Sequence, residues 1–201
     1  MMRIAKGSTP MTTRRTLLTP IAALPAFLIG APPGYAQQPR LALTPECSGG
    51  GRTIANAEGP YFRPNTPLKH DLAADVEGGE RLLLGGFVLD EACRPVPNAL
   101  IEIWHADDRG RYDQRGYKLR GHQFSDANGL WWFSTIIPAA YWSRTRHYHF
   151  KVQRQNDRIL TTQLYFPGER RNAQDREFDP RLQMRVTAGE NQPLGRFDFV
   201  I

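Results

Sequence analysis

Cysteine is scarce in this 201-residue chain: there are two, Cys47 and Cys93. That leaves room for one bridge at most, so the chain must rest on a hydrophobic core, which its length is enough to build as one compact domain. Internal repeats and low-complexity tracts are absent, which excludes a solenoid. No segment carries a convincing long helical period, and 18 Gly, 16 Pro and 10% aromatics suit a β-rich, loop-rich fold better than a helix bundle. Long apolar runs are also missing. The one candidate, Leu17 to Ala31, is interrupted by Pro20 and Pro25 and is too short to span a bilayer comfortably. Acidic residues are fewer than basic ones, 20 against 26, for a net charge of +6. Four of those basic residues, Arg3, Lys6, Arg14 and Arg15, lie in the first 36 positions with no acid beside them. Without that segment 22 basic residues face 20 acidic ones, a surplus of two. The charge argument for a nucleic-acid partner disappears with it.

What the N-terminus does contain is a leader. Thr13-Arg14-Arg15-Thr16-Leu17-Leu18 is a twin-arginine pattern ahead of the apolar run, and Gly34-Tyr35-Ala36 offers small residues for cleavage after Ala36. Met11 would serve equally well as a start. The reading is a signal peptide over 1–36, a folded protein exported by the twin-arginine route to the periplasm or medium, and no membrane contact once the leader is cut. An uncut hydrophobic anchor is the alternative. Outside the cytoplasm Cys47 and Cys93 could form one disulfide; two buried or free thiols are the other option.

Residues 37–80 read as an extended arm, polar and Gly/Pro-bearing without a period. Within it a tight turn at Asn56 to Phe62 presents Tyr61 and Phe62. Regular structure begins at Arg81, and 81–201 is predicted to be an antiparallel β-sandwich, all-β, of seven or eight short strands. Leu82 to Leu89 forms the first, with Gly85-Gly86 marking a bulge or a close backbone approach. Ala99 to Trp104 follows, with Leu100 and Glu102 opposite Ile101 and Ile103. A long polar loop, Asp107 to Gly121, has the length of a functional or disordered segment. His122 to Ser125 and Leu130 to Thr135 flank an Asn-Gly hairpin turn at Asp126 to Gly129. Ile159 to Phe166 puts Thr161, Gln163 and Tyr165 on one face. Pro167 to Pro180 is a charged excursion, loop or one short surface helix. Met184 to Thr187 and Phe197 to Ile201 close the chain.

The densest chemistry lies between Ile137 and Val152. His147, His149 and Lys151 alternate with Tyr148, Phe150 and Val152, the pattern of a half-buried strand. Side chains two apart on a strand share a face, so the two imidazoles are neighbours in space. Tyr141, behind a loop opened by Pro138, could fold back onto them. That combination reads as a metal site with an anionic substrate; alone, the pair could equally be two histidines in ordinary hydrogen bonds. His105, His122, Arg146, Tyr117, Trp131 and Trp132 read more simply as packing, solvated charge or internal bonding.

Seven segments, in order, resemble the intradiol ring-cleavage dioxygenases, most closely the exported single-chain branch. They are Glu58 to Phe62, Pro95 to Trp104, Gly110-Arg111-Tyr112, Ser125 to Gly129, Pro138 to Tyr141, His147 to Phe150 and Thr162 to Phe166. The resemblance implies a ferric enzyme that opens a catechol-type ring between its hydroxyls with O2. By position Tyr112, Tyr141, His147 and His149 match the metal ligands, Arg144 an active-site guanidinium, Gln163 a pocket glutamine and Tyr61 an aromatic at the pocket mouth. It further implies that Tyr141 leaves the metal and takes a substrate proton, and that Arg144 stabilises carbanion-like charge on the ring. Fe(III), a hard and highly charged ion, suits phenolate donors; tyrosine ionises near a pKa of about 10, and metal binding displaces that proton. Ser143, Ala139 and Ala140 stand where the family often has glycine, which bears on loop shape and substrate choice. The family also allows a homo-oligomer through N-terminal segments, although no helical dimer element is visible between Gln37 and Glu80. A non-catalytic exported sandwich module and a periplasmic Cu or Zn carrier are the competing readings; neither has a use for Tyr112 and Tyr141 together with the His-x-His pair.

Overall fold

A computed structural model describes Cys47 and residues 51–201; the leader reading at 1–36 and the remainder of the segment before residue 51 lie outside the described residues. The strands are β1 (Arg81–Leu89), β2 (Leu100–Trp104), β3 (Arg120–Phe124), β4 (Leu130–Ile136), β5 (His147–Gln153), β6 (Leu160–Tyr165), β7 (Arg185–Thr187), β8 (Leu194–Arg196) and β9 (Phe199–Val200). One sheet runs β4-β1-β8-β7 with β9 also on β1, and the other runs β3-β2-β5-β6. The second is antiparallel throughout. In the first, β8 and β9 lie parallel to β1, so the antiparallel expectation holds only in part. Among the described residues helical structure is confined to 3-10 turns, two of them at Arg170–Gln174 and Pro180–Leu182, within and just after the charged excursion.

The core forms because alternate residues of each sheet face the other. Ile101, Ile103, Tyr148, Phe150, Val152 and Leu164 meet Leu82, Leu84, Val88, Trp131 and Phe133 in one cluster. Each large apolar side chain buried there contributes roughly 1.5–3 kcal/mol. Polar bonds also cross the sandwich. The Tyr148 hydroxyl donates to the Ile136 carbonyl at 3.0 Å. His105 Nδ1 lies 2.7 Å from the Ala106 carbonyl and Nε2 lies 2.7 Å from the Thr135 hydroxyl. A carbonyl only accepts, so Nδ1 carries the proton and Nε2 accepts from Thr135. His122 is likewise engaged, its Nδ1 2.8 Å from the Thr66 carbonyl.

Two local expectations meet tertiary constraints. The Asn-Gly turn is tight, with the Asp126 carboxylate accepting from the amides of Asn128 and Leu130. Yet β3 and β4 belong to different sheets, so it is a corner and not a hairpin. Turn chemistry fixes the reversal, while the partner of the next strand is fixed by the long β1, which pairs with all of β4. Gly85-Gly86 is a close approach and not a bulge of β1. A Cβ at Gly86 would sit 1.8 Å from the Phe197 carbonyl oxygen, where β8 gives way to β9.

Residues 51–80 contain no strand but are stitched to the body. Thr53 N donates to Val200 O at 2.9 Å, Asn56 N to Thr161 O at 2.9 Å and Leu72 N to Ser134 O at 2.8 Å. Leu72 is fully buried in the core. Cys47 and Cys93 form a disulfide, which settles the open alternative for the two thiols.

Two outcomes follow for stability. Gly86→Ala forces a side chain into backbone, and urea unfolding should show a loss at or above the upper end of overpacking costs, about 3 kcal/mol; an unchanged midpoint would contradict the approach. Burial drives the His105 pKa down to about 4, so its neutral form is the folded one. Its contribution is complete above the unfolded value of about 6.5 and is lost as pH falls toward 4. His105→Gln should therefore flatten the acid limb of the stability curve by about one proton; an identical limb would contradict a buried neutral His105.

Candidate metal centre

The outer face of the β3-β2-β5-β6 sheet carries the side chains that alternate away from the core. Pairing sets Trp104 on β2 opposite His149 on β5, and Gln163 and Tyr165 on β6 opposite His149 and His147. The half-buried strand expected at β5 is buried on both faces from His147 to Phe150, because the arm roofs this outer face. Tyr61 stacks on Tyr112 with ring centroids 4.3 Å apart. Phe62 meets Trp104 edge-on at 4.9 Å, and Trp104 stacks on His149 at 4.9 Å. Lys151 pairs with Glu58 and lies over the Phe62 ring. Gly59 is required here, since with φ +73° it would place a Cβ 3.1 Å from His149 Cε1. Gly110, φ +76°, makes the corresponding approach to Tyr141, 2.9 Å from its Cβ.

Three donor atoms converge under this roof. His149 Nε2 lies 3.1 Å from His147 Nε2 and 3.1 Å from the Tyr112 hydroxyl, which is 3.4 Å from His147 Nε2. His147 Nδ1 donates to the Thr145 carbonyl at 2.7 Å, so its Nε2 lone pair points inward. Burial, reinforced by Arg144, drives His147 down to about 4. Burial, then His147 itself, drives His149 well below the usual imidazole value. Both rings are therefore neutral near pH 7. Burial holds the phenol of Tyr112 protonated, and the neighbouring Tyr141 adds to the effect. Burial also raises Tyr141, with Tyr112 and Arg144 pulling against it. The Tyr141 ring sits edge-on to Tyr112 at 5.5 Å and 5.7 Å from His147.

These residues fit a transition metal. Two inward-facing nitrogens about 3 Å apart match adjacent donors at roughly 2.1 Å from a shared centre. Two neutral imidazoles with two ionisable phenols suit a hard, highly charged ion. Among the described residues no group of three or more His, Cys, Asp or Glu could hold a metal; the tyrosines complete this set. A carrier using the histidines alone leaves that convergence unexplained.

Arg144 lies on the same wall. Its Nε is 3.0 Å from both carboxylate oxygens of Asp175 and its Nη2 donates to Gln163 Oε1 at 2.5 Å. Burial works against its charge, and Asp175 outweighs burial, so its pKa is raised. Gln163 is fully buried and its Nε2 donates to the Ala57 carbonyl at 2.7 Å, which places it behind Arg144 as a support. Arg144 N donates to Tyr141 O at 2.8 Å, closing a turn whose next residue, Trp142, is left-handed (φ 48°) and 91% exposed. Arg146 faces outward, paired with Glu169 at 3.5 Å. Tyr117 donates to the Pro64 carbonyl at 3.0 Å, while Trp131 is core and Trp132 packs against His70. Sequence reasoning missed Asp175, Trp104 and the glycine contacts. A buried arginine calls for a buried carboxylate, but five residues of mixed charge from Asp175 to Asp179 gave no period to pick one out.

A family model described as Dioxygenase matches residues 57–177. The chain is 36% identical over 154 residues to the protocatechuate 3,4-dioxygenase beta chain of Burkholderia cepacia, covering 65% of this chain and 64% of that one. It is 30% identical to the catechol 1,2-dioxygenase of Acinetobacter baylyi over 70% of this chain and 53% of the relative. The chain thus spans less than two thirds of the length of these curated relatives. Among solved structures, the dioxygenase domain of a dioxygenase carbohydrate-binding protein fusion from Streptomyces sp. SirexAA-E superposes with a TM-score of 0.73 at 44% identity, over 75% of this chain and 98% of that one. The 3-chlorocatechol 1,2-dioxygenase of Rhodococcus opacus does so with a TM-score of 0.67 at 26% identity, over 74% and 72%. With the sandwich, the seven segments and the family match in agreement, the chain belongs to the intradiol ring-cleavage dioxygenases.

Proposed function

We propose that this chain is a non-haem Fe(III) dioxygenase that cleaves a catechol-type ring between its two hydroxyls with O2, giving a muconate-type diacid. The observation that carries the reading is the meeting of His147 Nε2, His149 Nε2 and the Tyr112 hydroxyl within 3.1–3.4 Å, with Tyr141 beside them. His147, His149, Tyr112 and Tyr141 would hold the ion, whose charge, when bound, draws electron density from a chelated catecholate and makes the ring reactive toward O2.

The chain's own residues do the rest. Tyr141, less enclosed than Tyr112, would give up its own proton on holding the ion, and as that phenolate is the side chain placed to take a proton from a substrate hydroxyl and end as the neutral phenol. Arg144 keeps a positive charge beside the ring, where stabilising developing negative charge in a site shielded from water is worth most. Gln163 fixes that guanidinium, and Tyr61 forms the aromatic wall over Tyr112 and Tyr141. Export through the twin-arginine route to the periplasm or medium belongs to the same proposal, supported by the leader sequence and by a disulfide suited to an oxidising compartment.

A visible spectrum of the ferric-loaded protein, taken before and after anaerobic catechol, tests the reading. A tyrosinate-to-iron charge-transfer band that shifts with catechol is the expected result; a protein that stays colourless after ferric loading overturns it. Tyr112→Phe should weaken and shift that band, leaving the Tyr141 contribution, and cut turnover by more than the 10–100-fold typical of an outer partner. Gly59→Ala, which presses on the His149 ring, should weaken iron retention about tenfold in a chelator competition. Retention equal to wild type would show that Gly59 does not set that ring.

A further inference from the structure

Arg144 is a long side chain on an exposed turn, and nothing in that turn orients its guanidinium. Two side chains orient it: Gln163 on β6, which takes Nη2, and Asp175 from the charged excursion 31 residues away, which takes Nε. The Asp175 side chain is fully buried against an Arg144 side chain that is 15% exposed. Its two oxygens take the Arg144 Nε–H, and the same carboxylate accepts from the amides of Thr145 at 2.8 Å and Glu177 at 3.0 Å. Thr145 in turn offers its carbonyl to His147 Nδ1 at 2.7 Å. A second tie holds the same link: the Thr145 hydroxyl donates to Asn172 Oδ1 at 2.8 Å, and Asn172 Nδ2 donates to the Phe166 carbonyl at 2.9 Å. Asp175 takes Nε of Arg144 and Gln163 takes Nη2; neither reaches Nη1.

We propose that Asp175 is a positioning residue for the reaction: it fixes the Arg144 guanidinium toward the substrate and, through the Thr145 backbone, the orientation of His147. This rests on the reading of Arg144 as the group that meets the ring. Asp175 itself touches neither substrate nor metal ligand side chain and transfers no proton. A buried carboxylate bonded to one guanidinium and two amides is costly to disturb from either side, which suits a fixed charge and not a mobile one. The 3-10 turn at Arg170–Gln174 is thereby coupled to the catalytic wall, although no residue of it reaches the three converging atoms.

The test is a double-mutant cycle on the iron-loaded enzyme with Arg144→Lys and Asp175→Asn, reading kcat and KM for catechol and the visible band. Asp175→Asn should keep the band, lower kcat by up to about a hundredfold, the cost of roughly 1 Å of misplacement, and be partly rescued by Asp175→Glu. In the Arg144→Lys background it should add less than about threefold. Unchanged kcat, or effects that multiply in the double variant, would overturn the proposal by showing that Asp175 acts apart from Arg144. A second readout needs no turnover: in gallium(III)-loaded wild type the Arg144 Nε–H resonance should be protected from exchange, lose that protection in Asp175→Asn and keep part of it in Asp175→Glu. Rapid exchange in wild type would overturn the positioning role. Should no catechol be turned over while that resonance is protected, the dioxygenase reading fails and the Asp175 anchor stands.

Discussion

Strand β5 is buried on both faces, and that constraint organises the molecule. Its inner face, Tyr148, Phe150 and Val152, belongs to the sandwich core, as any amphipathic strand would supply. Its outer face carries His147, His149 and Lys151, and a buried polar group without a partner costs about 1–3 kcal/mol. The arm and the loops answer part of that demand: Glu58 takes Lys151 and Thr145 takes His147, while Trp104 of β2 covers the face of the His149 ring and leaves its Nδ1 unbonded. A second apolar cluster of Trp104, Ala106 and Tyr112, with Tyr61, Phe62 and Tyr141 around it, therefore forms outside the sandwich. The candidate site lies in this cluster and not in the core.

The electrostatics of that cluster are set by dehydration. Its imidazoles are neutral and its phenols protonated because burial disfavours their charged forms, while Arg144 keeps its charge because Asp175 is buried with it. His105 shows that the arrangement, and not the residue type, makes the difference. It is as buried as His149, but both of its nitrogens are consumed by Ala106 and Thr135, so it has no lone pair to offer. His147 spends one nitrogen on Thr145 and points the other at Tyr112 and His149.

The four-residue turn from Tyr141 to Arg144 holds the least ordinary backbone near the candidate site. A left-handed Trp142 at 91% exposure is strained for a side chain with a Cβ, and it joins two residues of the proposed chemistry. Glycine is required elsewhere by plain geometry: Gly59 and Gly110 both hold positive φ angles with a ring or backbone at van der Waals contact or closer.

The sequence by itself determined the strand faces and the identity of the site's side chains. A period of two puts His147 and His149 on one face whatever the sheet contains, and Gly85-Gly86 marked either a bulge or a close approach, a choice left to the fold. Segment order sufficed to identify the relatives. Only the tertiary structure decided what lies opposite: that the Asn-Gly turn joins two sheets, that β8 and β9 run parallel to β1, and that the arm buries a face which alternation alone leaves half exposed. It also decided that Asp175 is the carboxylate behind Arg144 and that Gln163 supports that guanidinium. The physical reason is the range of the forces involved. Side-chain direction and turn preference are local, legible within a few residues, whereas strand pairing and the matching of buried charges join positions tens of residues apart and are fixed only when the whole chain has packed.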